Sequence, residues 1–160
     1  MFKFSPTPIQ TFKFEVYPAG TGYYDGEFRL FRSTSADKPS EPNIGEFSVS
    51  IRQGTFGEDK QRSETFWQRR RIVEGGEVRE EILNWAPQGL VETDLSITIT
   101  DIVGLDIEGL ETPKFTGSGT TRRPADTQQF LAFMRGLPSQ WIETLYDAVL
   151  EVNPKWAPKS

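Results

Sequence analysis

The sequence predicts an α+β domain, with a small antiparallel sheet from the N-terminal half packed on a C-terminal helical hairpin. Three observations carry that expectation. Between residues 11 and 52, three runs alternate large apolar with polar side chains, the two-residue period of half-buried strands. From Trp141, the apolar residues Trp141, Ile142, Leu145, Tyr146, Val149 and Val152 follow a 3.6-residue period. A chain of 160 residues with no Cys is one domain, 1–160, long enough to bury roughly two thirds of its unfolded surface without disulfides.

The sheet-rich part spans 8–53. Over Thr11 to Tyr17, Phe12, Phe14 and Val16 alternate with Lys13, Glu15 and Tyr17. The glycine-rich AGTGYYDG, residues 19–26, reads as a turn. A second strand runs from Glu27 to Arg32. Residues 33–45, with two prolines and four Ser or Thr, form a surface loop expected to be the most mobile stretch. The third strand, Glu46 to Arg52, directs Phe47, Val49 and Ile51 to one side. Three successive runs predict an antiparallel meander with one apolar face.

Helices are expected over about 55–86. Thr55 with Glu58 three residues on forms a capping box, and Glu58 to Arg62 an i,i+4 ion pair. This thinly apolar helix continues through Val73 to a break at Gly75-Gly76. Val78, Ile82 and Trp85 at i, i+4, i+7 then predict a second short helix ended by Pro87 and Gly89. The strand and crossover region is 90–124. In it, LSITITDIV (95–103) reads as a strand, from the alternation of Leu95, Ile97 and Ile99 with Ser96, Thr98 and Thr100. The aperiodic stretch 104–124 is an extended crossover, part of which pairs as a strand. The hairpin, 126–153, opens on Asp126 as N-cap with Gln129 as its reciprocal partner, and carries Phe130, Leu131, Phe133 and Met134. Pro138 starts the longer helix and Asn153-Pro154 stops it.

Composition bounds the chemistry. The absence of His removes the usual general base near neutral pH, the usual zinc ligand and the usual pH switch. A formal net charge of −5 argues against nucleic-acid binding, which needs basic surface. No stretch approaches 18 consecutive apolar residues, and the start lacks a charged region followed by an apolar run, so the expectation is a soluble cytosolic protein with no membrane partner. GTGYYDG and TGSGTT lack the strand and helix context of a phosphate cradle and read as turns. Asp101, Asp106 and Glu108 match no EF-hand spacing and read as solvated acids. Arg62 and Arg69 to Arg71 beside Trp67, and Arg122-Arg123, are the basic clusters. The first complements a helix dipole and balances Glu58, Asp59, Glu64 and Glu74. No catalytic residue, cofactor or metal is predicted, although carboxylate pairs for glycoside chemistry stay open.

The aromatics, twelve Phe, four Trp and four Tyr, are the remaining signal, and most belong in the core. Trp156 lies past the helix stop, between two prolines, where it either tucks back on the helix or meets a partner. Trp141, Tyr146 and Trp156 are therefore the candidate partner-binding residues.

The segment FLAFMRGLPSQWIETLYDAVLEVNPKW, preceded by DIVGLDIEGLETPKF, resembles the tail assembly chaperones of long-tailed bacteriophages. In that family a G-x-x-x-x-G…P segment leads to a Leu-Pro helix and a closing Asn-Pro. SVSIRQGTFGEDKQRSETF is similar to their strand-then-helix opening. The resemblance covers about residues 45–156, and the strand region before Ser35 has no counterpart in it. It implies a non-enzymatic protein of the host cytoplasm that holds a tape-measure protein soluble and recruits tail-tube subunits, with no catalytic residues. The alternatives are a structural virion protein (a tail or capsid accessory protein) and a carboxylate-dependent hydrolase or carbohydrate-binding module. Oligomeric state is left open.

Overall fold

The computed structural model describes residues 8–20, 27–66, 68–74, 77–84 and 87–157, and side chains outside 63–88. In chain order its elements are β1 (Ile9–Tyr17), β2 (Arg29–Arg32), β3 (Gly45–Arg52), α1 (Phe56–Phe66), β4 (Gln68–Glu74), β5 (Glu77–Asn84), α2 (Pro87–Thr98), β6 (Ile99–Val103), β7 (Phe115–Thr116), β8 (Arg123–Pro124), α3 (Thr127–Arg135) and α4 (Ser139–Val152). The fold class is α+β, with a four-stranded antiparallel sheet and helices concentrated in the C-terminal half.

The sheet is not the expected meander. Its order is β2-β1-β3-β6, so β1 lies between β2 and β3 and is antiparallel to both. The reason lies in length and apolar content. β1 and β3 pair over eight positions that set Phe12 opposite Val49 and Phe14 opposite Phe47, with the last two rings stacked at 5.5 Å. The four-residue β2 offers only Leu30 as a fully buried residue and takes the edge. The inner face, with Phe14, Leu30, Val49 and Ile51 fully buried, meets α4 and forms one core with Phe130, Phe133, Leu145 and Val149.

Three expectations about the middle of the chain are corrected. The helix predicted through Val73 ends at Phe66, and residues 68–74 instead pair antiparallel with 77–84, where a second helix was expected. The backbone register sets Arg70 opposite Glu81, Arg71 opposite Glu80 and Val73 opposite Val78. Trp67, Gly75-Gly76, Trp85 and residues 21–26 of the glycine-rich turn lie outside the described residues.

The third correction is α2. Leu95–Thr98 is helical, and only Ile99–Val103 is strand. Pro87 opens this helix where it was expected to end one, a first-turn position that costs no hydrogen bond. Leu90, Asp94, Leu95 and Thr98 are buried at i, i+4, i+5 and i+8, one helical face. The hydroxyls of Thr93, Ser96 and Thr98 donate back to the carbonyls of Gly89, Thr93 and Asp94, which accommodates a Ser/Thr-rich run in a helix.

Other local expectations divide. The capping box forms: Glu58 N donates to Thr55 Oγ1 at 3.3 Å and Thr55 N to Glu58 Oε1 at 2.9 Å. The Glu58–Arg62 pair does not, because Glu58 meets Arg52 and Arg62 meets Asp94. Part of the crossover pairs as expected, through β7 and β8. Asp126 caps α3, accepting from Gln128 N and Gln129 N. Gln129 does not reciprocate, since its amide donates to the carbonyls of Glu111 and Thr112. The 33–45 loop is pinned to the sheet by Lys38 and Asn43, which converge on Glu15 at 2.8 and 2.7 Å. Lys38 beside it holds the Glu15 carboxyl below the ordinary carboxylate range. α3 packs mainly on α2, whereas α4 lies between α2 and the sheet and meets β2 and β3 as well, so α2 and the sheet together supply the cover the hairpin required.

Candidate functional site

α2, α3 and α4 leave an open groove of about 390 Å³ between them. Its apolar lining comes from Val91 and Leu95 on α2, Met134 at the end of α3, Leu137 in the connection and Ile142 on α4. Glu92, Arg135, Glu143 and Tyr146 form its polar rim. Arg135 holds Glu92 through two hydrogen bonds, Nε to Oε1 at 2.7 Å and Nη2 to Oε2 at 2.8 Å. That contact pushes the Glu92 carboxyl below its ordinary pKa and raises that of the guanidinium. A general acid in glycoside cleavage needs the opposite shift. Glu92 is set to hold Arg135 rather than to donate a proton.

Tyr146 joins the groove to a buried polar network. Its hydroxyl donates to Asp94 Oδ2 at 2.7 Å, and both Asp94 oxygens accept from Arg62 Nε at 3.0 Å. Arg62 Nη2 also donates to the Tyr146 hydroxyl and to the Trp156 carbonyl, and its guanidinium carbon stands 5.1 Å from the Trp156 ring centre. Asp94 is fully buried; desolvation pushes its carboxyl up, against the opposing pull of Tyr146 and Arg62. Burial, then the Asp94 hydrogen bond, raises the Tyr146 phenol to about 12. The network therefore ties α1, α2, α4 and the turn at Pro154–Trp156 together.

Of the three candidate partner-binding residues, only Tyr146 reaches the groove. Trp141 is buried against Phe47, ring centres 6.2 Å apart, with its indole N–H donating to the Phe28 carbonyl. Trp156 takes the first of the two places expected for it. It tucks back, 6 % exposed, under Arg62, and its indole N–H donates to Asp59 Oδ1. Asn153 makes this return possible: its Oδ1 accepts from Gly54 N at 2.7 Å and its amide donates to the Arg52 and Val149 carbonyls.

Sequence reasoning missed the α2 wall of the groove, because Leu95 was assigned to a strand. The spacing of Leu90, Asp94, Leu95 and Thr98 after Pro87 is the signal that marks it.

The other expected clusters stay apart from the groove. Asp101 accepts from Ile102 N and lies 3.5 Å from Arg122, and among the described residues no group of three acids converges as a metal site. Arg69, Arg70 and Arg71 lie on β4 rather than at a helix end, which removes the helix-dipole role expected of them. Among the described residues no helix is long and apolar enough to cross a membrane. Comparison with protein-family models, with curated proteins and with solved structures finds no match.

Proposed function

We propose that the chain is a non-enzymatic binding protein that holds a segment of partner polypeptide in the groove between α2, α3 and α4. In this reading it acts in the host cytoplasm as a tail assembly chaperone, keeping a tape-measure protein soluble and recruiting tail-tube subunits. No nucleic acid, membrane or cofactor takes part. The observation that supports it is the make-up of the groove. Its floor is apolar, and its volume of about 390 Å³ lies at the low end for small-molecule sites. The two strongest polar groups at its rim, Glu92 and Arg135, satisfy each other instead of converging on a ligand. Such a site suits a few apolar anchor side chains better than a polar substrate. The phage context comes from the resemblance over about residues 45–156.

Co-expression tests the reading. A phage tape-measure protein is expected to gain soluble yield when it is made together with this chain, and to lose that gain with Ile142→Glu, which places a charge on the apolar wall. Equal insolubility with and without the chain would overturn the reading. Recovery of the chain as a stoichiometric part of purified particles would favour a structural virion component instead.

A further inference from the structure

We infer that the occupant of the groove is a basic amphipathic helix, seated by its apolar face on the half-buried Val91 and Ile142, with Lys or Arg side chains directed at Glu143 on the rim and at Asp147 one turn beyond it. The inference rests on the polypeptide-binding reading above and adds the conformation and charge of the partner.

Conformation follows from what walls the groove. The walls are α2, α3 and α4 with Leu137 of the α3–α4 connection, and no strand contributes to the lining. An extended segment laid there would find no strand edge to receive its own N–H and C=O groups, and burying those unpaired is costly. A helical segment satisfies its backbone internally and needs only apolar anchors spaced at i, i+4 and i+7. The apolar lining, from Val91 across to Ile142, is the complement of such a stripe.

Charge follows from what the rim leaves unpaired. Arg135 and Glu92 cancel each other. Glu143, at the groove, and Asp147, one turn further along α4, have no ion-pair or hydrogen-bond partner among the described residues. They are like charges at i,i+4, which destabilise a helix. Desolvation and then the proximity of Glu143 raise the Asp147 carboxyl, and the charge of Arg32, itself held by Glu151, offsets them only in part. A cation brought by the partner relieves this repulsion. The chain's net charge of −5 draws the same partner in from a distance and works against a second copy of this chain as the occupant.

Three stapled helices of about 15 residues, long enough to hold helical form, separate the contributions. One carries Leu at i, i+4 and i+7 with Lys flanks, the second has the same leucines with Glu flanks, and the third has Lys flanks with Ser for Leu. Binding to the full chain is read by fluorescence anisotropy. The Lys–Leu helix is expected to bind about tenfold tighter than the Glu–Leu helix at low salt, the sum of two surface charge contacts. The margin narrows as salt is added. It reverses in the Glu143→Lys/Asp147→Lys variant, whose thermal melt confirms that it is folded. Equal affinity for the two leucine helices would overturn the charge assignment while leaving the groove as a polypeptide site. Equal affinity for the Lys–Leu and Lys–Ser helices would reduce the contact to charge alone and overturn the seating. If neither leucine helix binds, the inference fails, and the co-expression test decides the polypeptide-binding reading on its own.

Discussion

Asp94 presents both carboxylate oxygens to one atom, the Nε of Arg62, at 3.0 Å each, from a position with no solvent exposure. The two residues sit on α2 and α1, and Arg62 Nη2 reaches α4 and the C-terminal turn. Four pieces of chain thus meet at one ion pair. Removing the acceptor leaves a largely buried guanidinium and a phenol without their partner.

Asp94→Ala is therefore expected to cost about 3–5 kcal/mol in urea unfolding, the range for breaking one side of a buried pair. Asp94→Asn, which keeps an acceptor and the volume, should cost less. The two also differ in pH dependence. The folded-state pKa of Asp94 is raised, so folding favours its protonated form. Its contribution is fully present below about pH 4 and is lost as pH rises through the folded pKa. The stability of wild type relative to Asp94→Asn should accordingly fall as pH rises above about 4. A difference that grows with pH would show that the pair with Arg62 outweighs desolvation.

Gly54→Ala probes the seat of Trp156. A β-carbon at Gly54 would lie 2.4 Å from Cζ2 and 2.8 Å from the neighbouring ring carbon of Trp156. The ring is buried and hydrogen-bonded, so it cannot swing aside freely. The substitution should cost about 1–3 kcal/mol as overpacking, and Trp156→Ala about 3–5 kcal/mol as a cavity. The double variant should cost no more than Trp156→Ala alone, since removing the ring removes the clash. Additive losses in denaturant melts would place the Gly54 effect elsewhere.

How far the sequence foretells this arrangement differs along the chain. β3 and α4 are legible because each has one dry and one wet side, and β1 because Phe12, Phe14 and Val16 keep the apolar alternation even though Glu15 and Tyr17 are covered as well. The sheet order is not, since alternation marks a strand without marking its neighbour. Residues 68–84 mislead because Arg and Glu serve a solvated helix and a cross-strand ladder equally well. The groove is hidden for a related reason: its α2 wall is β-branched and hydroxyl-rich, a composition that reads as strand, whereas in the helix Thr93, Ser96 and Thr98 turn their hydroxyls back onto its carbonyls. Tyr146 alone among the expected contact residues lies there, because the larger indoles of Trp141 and Trp156 are the ones the core takes in.

Gln140→Ala tests how the sheet edge is closed. The Gln140 side chain accepts from Leu30 N at 2.8 Å and donates to Leu30 O at 2.7 Å, completing a strand edge as a neighbouring strand would. Its loss leaves a partly buried donor and acceptor unmet and should cost about 1–3 kcal/mol. It also bares β2, so light scattering under partly unfolding conditions should rise above wild type. An unchanged melt and unchanged scattering would mean that Thr144 or water closes the edge unaided.

Leu145 and Ile142 lie three residues apart on α4 yet face different tasks, and their alanine variants should separate stability from capture. Leu145 is 1 % exposed in the shared core, and Leu145→Ala should cost about 2–5 kcal/mol in unfolding. Ile142 is half-buried on the wall of the groove, so Ile142→Ala removes less protected surface and should cost about 1–2 kcal/mol, the lower part of that range or less. In binding the order inverts. At a temperature where both variants are fully folded, Ile142→Ala should weaken the Lys–Leu helix by about 1–2 kcal/mol, close to tenfold in Kd, because a truncated anchor wall leaves the partner's side chain partly wet. Leu145→Ala should leave Kd within about twofold, since it does not line the groove and its loss is felt in the folding equilibrium instead. Parallel melts and anisotropy titrations on the same samples decide the matter. If Leu145→Ala weakens capture as much as Ile142→Ala does, the groove is an extension of the core and the partner binds elsewhere.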